Sequence, residues 1–175
     1  MMVALPGISL QPGELYLARE PMVLQTLLGS CVGITFWSPR LGIGALCHGV
    51  LPRCPRNVGG AEGHRYVDFS IRYLANQFTL LGVGRNELVV KLFGGADVLT
   101  VAVSTKPTVG AMNCRAAWEV LEEEGLRVAA SDLGGDRGRN IQFHTQTGEV
   151  FVRRLNRLPG SHAHGASKRN RRDGT

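Results

Sequence analysis

From Met22 to Pro52 the apolar positions run almost without interruption, and β-branched or aromatic residues recur among them. This pattern predicts three strands, Val23–Leu28, Cys31–Trp37 and Ile43–Leu51. Gly29-Ser30 separates the first two, and Ser38-Pro39-Arg40-Leu41-Gly42 forms a turn between the second and third. The polar stretch Arg53–Arg65 reads as an exposed loop. At Tyr66 the period changes: Val67, Ile71, Leu74, Ala75, Phe78 and Leu81 recur at helical spacing and line one apolar face, with Gly82 and Gly84 closing the helix. Glu87–Phe93 reads as a strand ended by Gly94-Gly95. A second helix is expected over Val109–Glu124, with Thr108 as its N-cap and Gly125 as its stop. Its inner face is expected to carry Ala111, Cys114, Ala117, Trp118 and Leu121. Arg127–Leu133, Asn140–His144 and Glu149–Leu155 read as closing strands, with Thr147-Gly148 in the last turn.

The resulting order, βββ-α-β-α-βββ, specifies an α+β (mixed α/β) domain with much antiparallel pairing. With 175 residues, 43% hydrophobic and 19% charged, the chain can bury one sizeable core and is not disordered throughout. The folded domain is expected over residues 1–158. A basic, disordered tail is expected over 159–175, where His162 and His164 are solvated. No run approaches the roughly 18 apolar residues of a membrane span. The start, with Pro6, Gly7, Pro12 and Glu14, lacks the pattern of a secretory leader. The net charge of +6 points weakly to nucleic acid, because Lys168, Arg169, Arg171 and Arg172 against Asp173 place half of it in the tail.

Cys31, Cys47, Cys54 and Cys114 follow no disulfide spacing and are expected as free thiols in a reducing compartment. Cys31 and His48 stand out among the chemistry-bearing residues. If the second and third strands form a hairpin turning between Pro39 and Arg40, the two residues face each other on one side of the sheet. Opposed Cβ atoms lie roughly 4.5–5.5 Å apart, within reach of a thiol–imidazole hydrogen bond. A slip of one residue would send His48 to the other face. An adjacent imidazolium would lower the thiol pKa and make Cys31 a nucleophile, with His48 as base and then acid toward an amide. Gly29 and Ser30, just before it, offer backbone N–H groups to an oxyanion. Alternation turns Cys47 away from His48, and Cys47 and Cys114 read as structural. His144 reads as a strand residue with a satisfied ring. A zinc site from Cys47, His48, Cys54 and His64 has no familiar spacing, and the glycine pairs match no phosphate or dinucleotide fingerprint, so neither metal nor cofactor is expected.

Several segments together resemble the chemoreceptor glutamine deamidase family, CheD. They are Thr26-Leu27-Leu28-Gly29-Ser30-Cys31-Val32, His48 with Leu51-Pro52, Lys91-Leu92-Phe93-Gly94-Gly95-Ala96, Val109-Gly110-Ala111-Met112-Asn113, Ser131-Asp132-Leu133-Gly134-Gly135 with Arg139, Thr147-Gly148-Glu149-Val150 and Arg153-Arg154-Leu155. The likeness spans about Pro12 to Leu155. It implies a cytoplasmic enzyme that converts glutamine side chains of methyl-accepting chemotaxis receptors to glutamate and releases ammonia. It implies a layered α/β/β/α fold of cysteine-hydrolase type, Cys31 and His48 as catalytic residues, and Thr26, one position off the family spacing, as the third member. A CheC-type phosphatase is an implied partner in some lineages. The rival readings are a receptor methylesterase using the same thiol, a non-catalytic adaptor binding receptor or phosphatase, and a nucleic-acid binder using the tail.

Overall fold

The computed structural model describes residues 4–99 and 105–156; the tail expected to be disordered lies outside the described residues. In chain order the elements are β1 (Gly7–Ser9), β2 (Leu15–Ala18), β3 (Val23–Leu28), β4 (Val32–Ser38), β5 (Ile43–Gly49), α1 (Gly60–Gly63) and α2 (Val67–Leu80). A short 3-10 turn, Arg85–Glu87, leads to β6 (Val89–Gly94), α3 (Val109–Glu123), β7 (Val128–Leu133), β8 (Arg139–His144) and β9 (Val150–Arg154). The strands form two mixed sheets, one in the order β1-β3-β8-β9 and the other in the order β2-β5-β4-β6-β7. The pairs β1–β3 and β6–β7 are parallel and the rest antiparallel.

Alternation along β4 and β5 explains the layering. Val32, Ile34 and Phe36 of β4 and Ala45 and Cys47 of β5 point toward the helices, where they pack with Ile71, Leu74 and Phe78 of α2 and Ala117, Val120 and Leu121 of α3. The alternate residues point the other way: Leu46 joins Phe93 of β6 against Leu24, Leu28, Ile141 and Phe143 of the four-stranded sheet, with Cys31 and Trp37 at the edge of this second core. Both faces of the five-stranded sheet are therefore covered, and all of β5 is buried. Each large apolar side chain so enclosed contributes roughly 1.5–3 kcal/mol. The α+β class holds. Among the described residues, however, α2 and α3 pack side by side on the five-stranded sheet, and no long helix covers the outer face of the other. The described residues thus form α/β/β layers.

Several elements differ from the sequence reading. β1 and β2 were not expected; at three and four residues, between Pro6, Pro12 and Gly13, they are too short to show a period. β3 and β4, consecutive in the chain, lie in different sheets, the chain leaving one at Leu28 and entering the other at Val32. The β4–β5 hairpin pairs Gly33, not Cys31, with His48, because its turn is centred one residue later, between Arg40 and Leu41. On α3, Thr108 caps as expected, its Oγ1 accepting from Ala111 N at 3.1 Å. Ala117 and Leu121 are buried as expected and Cys114 is half-buried, but Gly110, Asn113, Ala116 and Val120 are inside as well, while Ala111 is exposed and Trp118 is 45% exposed. Apolar residues surround this helix on most sides, so periodicity alone does not fix its face.

Candidate functional site

The crossing leads from Thr26, on β3 of the four-stranded sheet, to Cys31, in the loop one residue before β4 of the five-stranded sheet. Thr26 lies on the inner side of β3, between Leu24 and Leu28, and is 2% exposed. Its neighbour Gln25 points outward, toward Gln142. His48 enters the same interior from β5, near the end of its pairing with β4, and is also 2% exposed. Sheet alternation places Cys31 on this side too, since the hairpin centre moved by one residue and so kept the face while changing the partner. Cys31 and His48 are thus diagonal rather than opposed. Diagonal neighbours stand roughly 7–8 Å apart, farther than the 4.5–5.5 Å of opposed ones but still within reach of a ring side chain.

The hydrogen bonds of His48 define its tautomer. Thr26 Oγ1 donates its single proton to Leu10 O at 2.8 Å, so at 2.7 Å from His48 Nδ1 it can only accept. The imidazole proton therefore sits on Nδ1, and Nε2 carries a lone pair. Nε2 is buried and has no hydrogen-bond partner. The backbone is held as well: His48 N donates to Glu14 O, and Gly13 N donates to His48 O, each at 2.9 Å. The N-terminal segment that the sequence left without structure thus supplies Leu10, Gly13 and Glu14 as the cradle of this histidine.

Charge follows from burial. Desolvation pulls the His48 pKa down to about 4, with the Glu14 carboxylate opposing the shift. Desolvation raises the Cys31 thiol, while its own backbone N–H lowers it. Burial of both groups thus favours the neutral imidazole and the protonated thiol in the resting protein, where the sequence reading expected an imidazolium beside a thiolate. Cys47, on the helix side of β5, is fully buried; its Sγ lies 3.8 Å from Ile34 O, and desolvation pushes it up to about 12. His144 is half-buried, its ring meeting Phe151 edge-on at 5.3 Å. Cys47 and His48 point to opposite faces of one strand, so they do not meet at a common site.

The loop that carries Cys31 is fixed through its carbonyls. Gly29 O accepts from Ala96 N at 2.9 Å, Ser30 O from Asn113 Nδ2 at 3.0 Å, and Cys31 O from Gly95 N at 2.8 Å. Gly94, at φ +104°, makes this approach possible: a Cβ there would collide with Cys31 O. Arg139, fully buried, supports the next layer. It donates to Asp132 Oδ1 at 2.7 Å and to the carbonyls of Asp132 and Gly134, while Gly134 N donates to Gly94 O at 2.9 Å. Sequence reasoning assigned no role to Asn113 or Arg139. Both stand in the family-like segments, and a local signal was available too: an asparagine in a helix interior and an arginine at a strand start, both poor choices unless partnered.

Known proteins are similar over most of the chain. A protein named "Probable chemoreceptor glutamine deamidase CheD 2" from Geobacter sulfurreducens is 46% identical over 153 residues, covering 87% of this chain and 92% of the relative. Proteins named "Probable chemoreceptor glutamine deamidase CheD" from Maridesulfovibrio salexigens and Methanococcus maripaludis are 40% and 35% identical. They cover 85% and 84% of this chain, and 91% and 94% of their own lengths. The family model for CheD, described as chemotactic sensory transduction, matches residues 50–154. On this evidence the chain belongs to the CheD family.

Proposed function

We propose that this protein is a protein-glutamine deamidase of methyl-accepting chemotaxis receptors, working as a cysteine amidohydrolase through Cys31, His48 and Thr26. The names carried by its relatives support the substrate. The observation that carries the chemistry is the buried, unpartnered Nε2 of His48, opposite an Nδ1 anchored to Thr26 and on the same interior side as Cys31.

In this reading the substrate glutamine closes the site, as often happens when catalytic contacts tighten only in the complex. His48 Nε2 takes the Cys31 proton as the sulfur attacks the side-chain carbonyl carbon, and backbone N–H groups of Gly29 and Ser30 receive the developing oxyanion. The imidazolium returns its proton to the amide nitrogen, the C–N bond breaks, and ammonia leaves a thioester on Cys31. Water then gives its proton to Nε2 and its oxygen to the acyl carbon. The C–S bond breaks, yielding glutamate and the free thiol. Thr26 keeps the proton on Nδ1 throughout, so Nε2 is the nitrogen that cycles.

The activity belongs to residues 1–158 and needs no metal or cofactor in this scheme. Four free cysteines and the absence, among the described residues, of any helix long and apolar enough to cross a membrane support action in the cytoplasm, on the cytoplasmic part of the receptor. Incubating the protein with a receptor cytoplasmic fragment tests the reaction. Ammonia release with NH2 replaced by OH at glutamine is the expected result. Methanol release from methylated receptor without ammonia would make it an esterase, and binding without product would make it an adaptor.

A further inference from the structure

The β4–β5 ladder ends at Val32–Gly49. Beyond it the two strands carry the residues that must cooperate, Cys31 one step before the last pair and His48 just inside it. Asn113, on α3 and 0% exposed, spans the gap. Its Nδ2 donates to Ser30 O and to Val50 O, both at 3.0 Å, so one amide group uses both protons to tie the nucleophile loop to the strand of the base. The helix reaches this position because Gly110 lies against the backbone just after β6: a Cβ at Gly110 would stand 2.7 Å from Gly95 O, and Gly95 itself holds Cys31 O. Asparagine in a helix interior has low propensity, and its Oδ1 is left buried without a partner. A residue chosen for helix stability or for core packing would show neither feature.

Resting on the deamidase reading above, we propose that Asn113 is a positioning residue whose side-chain amide sets the separation of Cys31 and His48. It touches neither the substrate nor the reacting atoms; it acts through the Ser30 and Val50 carbonyls. A displacement of about 1 Å between reacting groups can cost on the order of 10²-fold in rate, which is the scale expected when the clasp opens.

The test measures kcat and KM for deamidation of a receptor cytoplasmic fragment, with the thermal midpoint, for the wild type, Asn113→Ala, Asn113→Asp, Thr108→Ala and Cys31→Ala. Asn113→Asp keeps the shape but sets a carboxylate against two carbonyl oxygens. Thr108→Ala removes the α3 cap and destabilises the same helix without touching the clasp. The expected result is a fall in kcat on the order of 10²-fold for both Asn113 variants with KM little changed, while Thr108→Ala keeps its kcat despite a lowered midpoint. Retained kcat in the Asn113 variants, a loss carried by KM, or an equal loss in Thr108→Ala overturns the proposal. So does failure of both Asn113 variants to fold where Thr108→Ala folds, since the residue would then serve the fold rather than the pair. Activity in Cys31→Ala would instead overturn the deamidase mechanism itself, separating the two failures.

Discussion

Thr26 and His48 belong to different sheets, and the 2.7 Å hydrogen bond between them crosses the core that joins those sheets. The orientation of the imidazole is therefore a property of sheet packing rather than of one hairpin. Thr26→Val keeps the volume but removes the hydroxyl, leaving Leu10 O and His48 Nδ1 without this partner. The expected cost is about 1–3 kcal/mol of stability, and a loss of activity below the 10²–10⁴-fold typical of removing the base itself. Thr26→Ser should recover most of both. Chemical denaturation and ammonia release, measured side by side, check this.

The buried histidine also predicts an acid sensitivity. Its folded pKa of about 4 lies below its unfolded value near 6.5, so between these pH values the unfolded chain binds a proton that the native state refuses. Stability should be unaffected at neutral pH, fall as pH drops through 6.5, and level off below about 4. The loss from this group is on the order of 3 kcal/mol. His48→Asn, which cannot take the proton, should flatten that part of the stability–pH curve. A curve of unchanged slope would show that His48 is not held neutral.

Cys31 should behave as a thiol, not a resting thiolate. Its rate of alkylation by iodoacetamide, taken as the difference between wild type and Cys31→Ala, should rise with a midpoint above the ~8.5 of ordinary cysteine. A plateau of rapid alkylation reaching down toward pH 5 would reveal the imidazolium–thiolate pair that the environment of these residues disfavours. Cys47, fully buried, should not react in the native state.

Much of this arrangement is legible in the chain, and the exceptions have physical causes. β3 to β5 announce themselves by their apolar, β-branched and aromatic content, α2 by the helical spacing of its apolar residues, and β6 to β9 as short segments between glycine-containing turns. The Cys31–His48 relation is legible as a shared face. Their register is not, because one residue in the turn between Ser38 and Ile43 decides whether His48 meets Cys31 or Gly33. β1 and β2 are held in place by partners far along the chain, and so local periodicity does not reveal the cradle of His48. The charge states also escape a sequence reading: proximity of a thiol and an imidazole suggests an ion pair, but burial of both sides favours the neutral forms. Asn113 is visible in the sequence as the end of a family-like segment, but not its role, since its two acceptors lie 63 and 83 positions away.

Gly94 offers a test of the nucleophile loop that leaves every reactive group in place. A methyl group there meets Cys31 O and demands an unfavourable positive φ. Gly94→Ala should destabilise the protein by at least about 1–3 kcal/mol through strain and overpacking, and should lower kcat beyond what the stability loss explains. Full kcat in a folded Gly94→Ala protein would show that the loop tolerates movement and that its fixed carbonyls are not needed for catalysis.

Peptide mass spectrometry of a receptor cytoplasmic fragment incubated with the wild type or with Cys31→Ala tests the central claim most directly. The account predicts conversion of glutamine to glutamate by the wild type and none by Cys31→Ala, with the variant still folded, since the change removes one sulfur from a half-buried position. Conversion by Cys31→Ala at the wild-type rate would contradict it at the first chemical step.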